Sequence, residues 1–227
     1  MECNPAPVLV VSGMAFEARI ARGEGIETVH GLNVPVLVRA IEDAIHQGAA
    51  GIVSFGVAAG LAPALAAGSV VIAGEVRWQQ QTFAADAAWV KALEQLLPDA
   101  QNAVVAGVDE ALTTPGQKSK LHVVTGASVA DMESHHVARL AQQYRLPFAV
   151  VRVVLDDAHC ALPPAALAAT APDGTIRYGR LIGSLCANPW QIPQLLRLGS
   201  AHAKAKKALH RCGDLLKGSR FGLVDLR

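Results

Sequence analysis

Between Phe148 and Leu155 the chain reads Phe-Ala-Val-Val-Arg-Val-Val-Leu, and it then stops on Asp156-Asp157. A run this short and this rich in β-branched residues is a strand buried on both faces, as in parallel sheets. Upstream, Ser128-Val129-Ala130-Asp131 alternates small and apolar residues. Met132-Glu133-Ser134-His135-His136 then opens a helix of about three turns. Two strand ends therefore carry acids, with one helix between them. Ligands of open parallel sheets bind at the carboxyl ends of strands. These acids mark the candidate site, and the rest of the chain is read around them.

Residues 7–11 are a first buried strand. Ser12-Gly13-Met14 turns it into a helix that carries Glu17, and Gly13 permits the tight turn. Glu17 either points back at the strand ends or complements the helix dipole. Residues 32–47 have helical periodicity, with Val36, Ala40, Ile41, Ala44 and Ile45 on one face and Gly48 as the stop. Residues 51–55 are a second buried strand, followed by a loop of small residues, 56–63. Small residues there either let backbone approach a ligand or pack a tight crossover. The loop lacks the glycine spacing of a dinucleotide site.

Residues 69–73 predict a third strand, with 75–81 continuing it as a more polar edge. Asp86 caps a helix over 87–96, and 103–107 is a short strand. Thr114-Pro115 opens a helix that ends near Gly126. Helices are expected from Leu162 to about residue 170, over 178–186 and over 192–211. The last is long and amphipathic, with Lys204, Lys206, Lys207 and Arg211 as a solvated face. Residues 213–227 read as a loose tail after a catalytic domain of residues 1–212. The alternation predicts a single-domain α/β fold, a mixed, mostly parallel twisted sheet flanked by helices.

Composition narrows the function classes. A hydrophobic content of 52% and a mean hydropathy of +0.30, carried largely by alanine, provide an aliphatic core and leave apolar surface for an oligomer interface. A net charge of +1 argues against nucleic acid as the main partner. No apolar run reaches the ~18–20 residues of a membrane span. The first residues lack the basic region of a signal peptide. Cys3, Cys160, Cys186 and Cys212 show no CxxC spacing, so neither zinc nor a disulfide framework is indicated. A reduced, cytoplasmic setting is expected.

Glu17, Glu133 and Asp156 each follow a predicted strand. Three acids converging at one sheet edge suit a reaction that develops positive charge, such as breaking an N-glycosidic bond. The sugar becomes oxocarbenium-like and the leaving base needs a proton, which an acid in a partly dry pocket can donate. Acids at strand ends also cap helices. Gly126-Ala127-Ser128-Val129-Ala130 nearly matches a nucleophile elbow, but Ser128 opens a strand instead of ending one. Asp156, Asp157, His159 and Cys160 are too crowded in sequence to surround one metal ion. His135 and His136 are neighbours on a helix, facing about 100° apart, and do not form a ligand pair.

Asp131-Met132-Glu133-Ser134, with Pro147-Phe148 through Arg152 to Asp156, resembles the superfamily of purine nucleoside phosphorylases and methylthioadenosine nucleosidases. Gly13-Met14 with Glu17, and the run from Ser54-Phe55-Gly56-Val57-Ala58 to Pro63, fall where that superfamily has its first loop and its glycine-rich loop. Within it, Gly13 to Ala21 and Ala161-Leu162-Pro163-Pro164 are most similar to the hopanoid-associated phosphorylase subgroup. That subgroup is associated with removing adenine from adenosylhopane by phosphorolysis, in hopanoid biosynthesis.

The resemblance implies that Asp156 protonates N7 of the leaving adenine and that Glu17 orients the attacking water where water is the nucleophile. Glu133 would grip the ribose hydroxyls and Met132 would pack on the sugar. Gly56, Val57, Ala58 and Leu155 would line the substrate, and Val108 to Leu112, with Leu112 at its end, would line the base. It implies no cofactor, with inorganic phosphate as co-substrate of a phosphorylase. Its partners would be a nucleoside, lipid-linked in the hopanoid-associated subgroup and so in transient contact with a membrane, and further copies of itself in a dimer or larger. The chain departs from the pattern at Leu155, where a serine is usual, and at Val57, where a serine or threonine is usual. No arginine stands at the family's phosphate positions, which leaves Gly13, Arg19 and Arg77, with Arg22, as candidates. Two other readings stand beside this one: a hydrolytic methylthioadenosine or adenosylhomocysteine nucleosidase, and a nucleoside-binding module without chemistry.

Overall fold

The computed structural model describes residues 5–162 and 192–223. Its elements run β1 (Val8–Ser12), α1 (Ala15–Ala21), β2 (Ile26–His30), α2 (Val34–His46), β3 (Gly51–Gly60), β4 (Val70–Trp78), β5 (Gln81–Ala84), α3 (Ala87–Leu96), β6 (Gln101–Gly107), α4 (Pro115–Thr125), β7 (Val129–Asp131), α5 (Ser134–Tyr144), β8 (Phe148–Asp156) and α6 (Ile192–Lys217). The fold is the expected α/β one. A mixed, mostly parallel sheet of eight strands is flanked by helices. The helices expected over 162–170 and 178–186 lie outside the described residues.

Five strands close on themselves. β3 pairs β8, β8 pairs β4, β4 pairs β6, β6 pairs β7, and β7 returns to β3. β1 and β2 extend the sheet beyond β3, and β5 folds back on β4. The small-residue stretch after Phe55 is not a loop: β3 continues through it to Gly60, lying parallel to β8. Opposite Arg152 in this register stands Gly56. A Cβ at Gly56 would lie 2.7 Å from both Arg152 Nη1 and Glu17 Oε1, so only glycine lets those side chains cross the strand.

Helices cover both faces. Leu37 and Ile41 of α2 and Val137, Leu140 and Ala141 of α5 pack on one side of the sheet. Trp89 and Leu93 of α3 and Leu209, Cys212 and Leu216 of α6 pack on the other. Each of the valine, leucine and isoleucine side chains contributes roughly 1.5–3 kcal/mol on burial. The caps follow the sequence. Asp86 accepts from Trp89 N at 2.9 Å, Thr114 Oγ1 from Gln117 N at 3.2 Å, and Gly126 closes α4 in the left-handed region at φ 67°. α6 does not stop at residue 212. It runs through Gly213 to Lys217, and Phe221 beyond it is fully buried, with its carbonyl accepting from Trp89 Nε1 at 2.7 Å. The expected boundary at residue 213 thus falls inside a packed helix, because residues 209–221 supply apolar surface to the sheet.

Candidate active site

The helix start after β7 is organised by Asp131. Its Oδ1 accepts from Glu133 N at 3.0 Å and Ser134 N at 2.8 Å, supplying the cap that α5 needs. Its Oδ2 faces the guanidinium of Arg152, with Nε 2.6 Å away at an angle that forms an ion pair without a well-aligned hydrogen bond. Arg152 is fully buried in mid-strand. Its Nη2 donates to Ser54 Oγ at 2.6 Å, Ser134 Oγ at 3.2 Å and Glu133 Oε2 at 3.3 Å, and Nη1 to Val57 O at 3.4 Å. Ser134 Oγ also donates to Asp131 Oδ2.

Glu17 joins from α1. Its Oε2 accepts from Met14 N at 2.8 Å, the backward reach of a capping glutamate. Its Oε1 crosses to accept from Val57 N at 2.8 Å. Glu17 therefore both caps its helix and enters the cluster. Glu133 lies over Gly13: a Cβ there would overlap Oε1 and stand 3.0 Å from Cδ. Three carboxylates thus surround one arginine. Burial pushes the Glu133 carboxyl up to about 8, against Arg152 and with the help of Asp131 and Glu17. Burial also raises Glu17, opposed by Arg152 and by the hydrogen bonds from Val57 and Met14. With both terminal nitrogens of Arg152 donating to protein oxygens and three carboxyl groups around it, the cluster is acidic. It stabilises a group that gains positive charge and offers oxygens to hydroxyl donors.

Asp156 is not in direct contact with this cluster. It lies at the end of β8, in register with Ala59 of β3, which in turn pairs Ala130 of β7. Two strand spacings, ~10 Å, separate Asp156 from Ala130. The carboxyl is buried and meets the buried ammonium of Lys118 from α4. Burial raises Asp156 and Lys118 lowers it, with a net shift upward. Met132 is half-buried between Asp131 and Glu133, and Leu155 is half-buried beside Asp156. Val57 is half-buried and Ala58 buried, next along β3 from Gly56. Val108 N donates to Asp131 O at 2.9 Å, and Leu112 packs on the small cluster of Leu61, Ala106, Ala127 and Ala130. The segment 108–112 therefore borders the site.

Two candidates for an anion are not brought to these acids. Arg19 is two residues from Glu17, about 200° around the helix. It is exposed in a surface cleft with Phe16, Arg22, Lys206 and His210. Arg77 is bound to Glu75 and to the Thr125 carbonyl at the end of α4. Gly13 is in the cluster, under Glu133. His135 and His136, expected to point apart, are both buried with ring centroids 3.9 Å apart, and His135 stacks on Trp78 at 5.0 Å. Burial lowers both, His136 to about 4.

Arg152, Ser54, Ser134 and Lys118 were given no role in the sequence reading, and Asp131 entered it only as an acid at a strand end. The signal for Arg152 was present, since a lone charge in an apolar strand must find buried partners. Lys118 carried no such signal, being one of several polar residues at the start of α4.

The sequence profile of the phosphorylase superfamily matches residues 8–171. Comparison with curated protein sequences gives no match. Among solved structures, the fold is similar to 5′-methylthioadenosine/S-adenosylhomocysteine nucleosidase from Helicobacter pylori, at a TM-score of 0.66 and 13% identity over 94% of this chain and 97% of that one. It is also similar to futalosine hydrolase from Helicobacter pylori, at 0.65 and 13% over 93% and 96%. The Neisseria meningitidis 5′-methylthioadenosine/S-adenosylhomocysteine nucleosidase aligns at 0.63 and 17% over 93% and 99%. With the profile covering most of its length, the chain belongs to the phosphorylase superfamily and is an enzyme of the nucleoside phosphorylase and nucleosidase kind.

Proposed function

We propose that the enzyme cleaves the N-glycosidic bond of an adenosine bearing a 5′ substituent and releases adenine. The observation that carries this is the pair of buried acidic centres on neighbouring strands of one sheet, Glu133–Arg152–Asp131–Glu17 and Asp156. In this reading Glu133 accepts from the ribose hydroxyls and Met132 packs on the sugar. As the C1′–N9 bond breaks, its electron pair goes to the base, and Asp156 gives a proton to N7. A positioned acid of this kind contributes roughly 10²–10⁴-fold. The carboxylates near the sugar favour the oxocarbenium-like state, an electrostatic preference that grows with dryness. The similar folds, named for nucleosidases and a futalosine hydrolase, support the bond type and an adenosine-like substrate.

The charge of the cluster supports water as the nucleophile. Arg152 is already surrounded by Asp131, Glu133 and Glu17, and a phosphate entering beside it would meet carboxylates. Glu17, held between Met14 N and Val57 N, would orient that water. A second reading is phosphorolysis of adenosylhopane in hopanoid biosynthesis. It is favoured by the similarity of Gly13 to Ala21 and Ala161 to Pro164 to the hopanoid-associated subgroup, and it needs a phosphate site from residues such as Arg19 or Arg77 after rearrangement. No cofactor enters either reading, and self-association and contact with a lipid-linked nucleoside at a membrane surface belong to the second.

The test is chromatography of free adenine from 5′-methylthioadenosine and from an adenosine with a long apolar 5′ group, with and without phosphate. Release independent of phosphate supports the hydrolase. Release only with phosphate, giving a sugar 1-phosphate, establishes the phosphorylase. No adenine from either substrate overturns the proposal.

A further inference from the structure

Lys118 is fully buried, one turn into α4. Its Nζ donates to Asp156 Oδ2, to Asp157 O at 2.7 Å and to Cys160 O at 3.1 Å. An ammonium has three N–H groups, and all three are used. Desolvating a lysine is expensive unless its charge is paired, so the fold holds this one for a purpose that two carbonyls and one carboxylate define. The same segments are tied once more where Leu162 N donates to Thr113 O at 2.9 Å. The clamp therefore joins the end of β8, the turn after it and the start of α4, directly after the 108–112 segment that borders the site.

We propose that Lys118 is the positioning residue for the proton donor: it locks Asp156 Oδ2 and leaves Oδ1 as the oxygen that meets the leaving base. This rests on the assignment of Asp156 in the proposed reaction. Among the described residues Oδ1 of Asp156 makes no hydrogen bond, whereas Oδ2 is held. The charged and titratable neighbours of Asp156 are Lys118 from α4, with Asp157 and Cys160 from the following turn. The ammonium favours the carboxylate. Without it the carboxyl keeps its proton to higher pH, but its oxygens lose their fixed direction. A misplaced reacting group costs on the order of 10–100-fold in rate.

The experiment compares wild type, K118M and K118R by adenine release from about pH 5 to 9, with thermal unfolding of each protein over the same range. K118M is expected to lose about 10–100-fold in kcat, with a smaller change in KM. The alkaline limb of its kcat/KM profile moves to higher pH, because the ammonium that lowers Asp156 is gone. K118R keeps the charge but not the three-acceptor fit, so its limb stays and its kcat falls. A K118M enzyme with the wild-type limb overturns the proposal, as does a K118R enzyme with wild-type kcat. If K118M fails to fold, K118R alone decides by the same criterion. If the wild type releases no adenine, the reaction assignment fails separately, and unfolding still decides the clamp. A stability gap between wild type and K118M that widens from about pH 4 to 8 shows the ion pair, and a gap independent of pH overturns it.

Discussion

Arg152 Nε lies 2.6 Å from Asp131 Oδ2, and both side chains are sealed from solvent. The same aspartate caps α5 through Glu133 N and Ser134 N. One carboxylate therefore fixes both the helix start that presents Glu133 and the cation that faces it. Replacing Arg152 by methionine would leave Asp131, Glu133 and Glu17 buried around a neutral side chain. Breaking a buried pair in this way costs ~3–5 kcal/mol. R152M should show that loss in urea denaturation at neutral pH, and R152K a smaller one, since lysine keeps the charge but cannot span Asp131 and Ser54 together. A methionine variant as stable as wild type would mean that the cluster is not held by Arg152.

Gly13 supports Glu133 in a different way. A Cβ at this position would displace the carboxyl that lies against it. Because the clash is with the end of a side chain, G13A should fold with a stability loss of about 1 kcal/mol, within the range of ordinary substitutions. Its activity should fall mainly through KM, by roughly 10-fold, if Glu133 binds the sugar. Steady-state kinetics on the same substrate separates this from a loss confined to kcat, which would place Glu133 elsewhere in the reaction.

Much of this arrangement was legible as pattern. Phe148 to Leu155 is apolar enough to be a central strand, and Glu17, Glu133 and Asp156 could be read as acids after strands. The edges were not legible. Ile26–His30 carries Glu27, Thr28 and His30, because a strand paired only to β1 keeps polar residues, and Gln81–Ala84 is a short return on β4. The stretch after Phe55 looked like a loop because its residues are small. It is a strand whose missing side chains make room for Arg152 and Glu17. Arg152 announced a need for buried partners without naming them, and Lys118 announced nothing: their partners lie on other elements, and a counter-ion is a tertiary fact that local spacing does not encode. That is also why the three acids, expected together, are divided between two cations.

Phe221 tests whether the segment after residue 212 is structural. Its ring meets Phe55 edge-on at 5.2 Å, and its carbonyl holds Trp89 Nε1. F221A should lose ~3–5 kcal/mol, as buried aromatic truncations do. A thermal scan that showed no loss would restore the loose tail that the sequence suggested.

Asp156→Asn separates chemistry from binding. The amide fills the same space but has no acidic proton to give. kcat should fall by about 10²–10⁴-fold, while affinity for adenine, measured by calorimetry, changes little. Equal losses in binding and turnover would argue that the residue holds the base without protonating it.

Glu133 gives the pH dependence a sign. Its folded carboxyl is pushed up to about 8 from an ordinary 4.5, chiefly by burial. The folded state therefore binds a proton that the unfolded chain releases. Its favourable contribution is complete below about pH 4.5 and is lost as pH rises through about 8, with an effect on the order of a few kcal/mol. Wild type should lose stability between pH 5 and 9, and Glu133→Gln, which stays neutral, should flatten that slope and be the more stable protein at pH 9. Sugar binding that needs the carboxylate would run the other way, strengthening as Glu133 ionises. The pH at which ligand affinity rises in wild type should then match the pH at which its stability falls, and that coincidence should vanish in the glutamine variant. Parallel slopes in the two proteins would place the titration on another group.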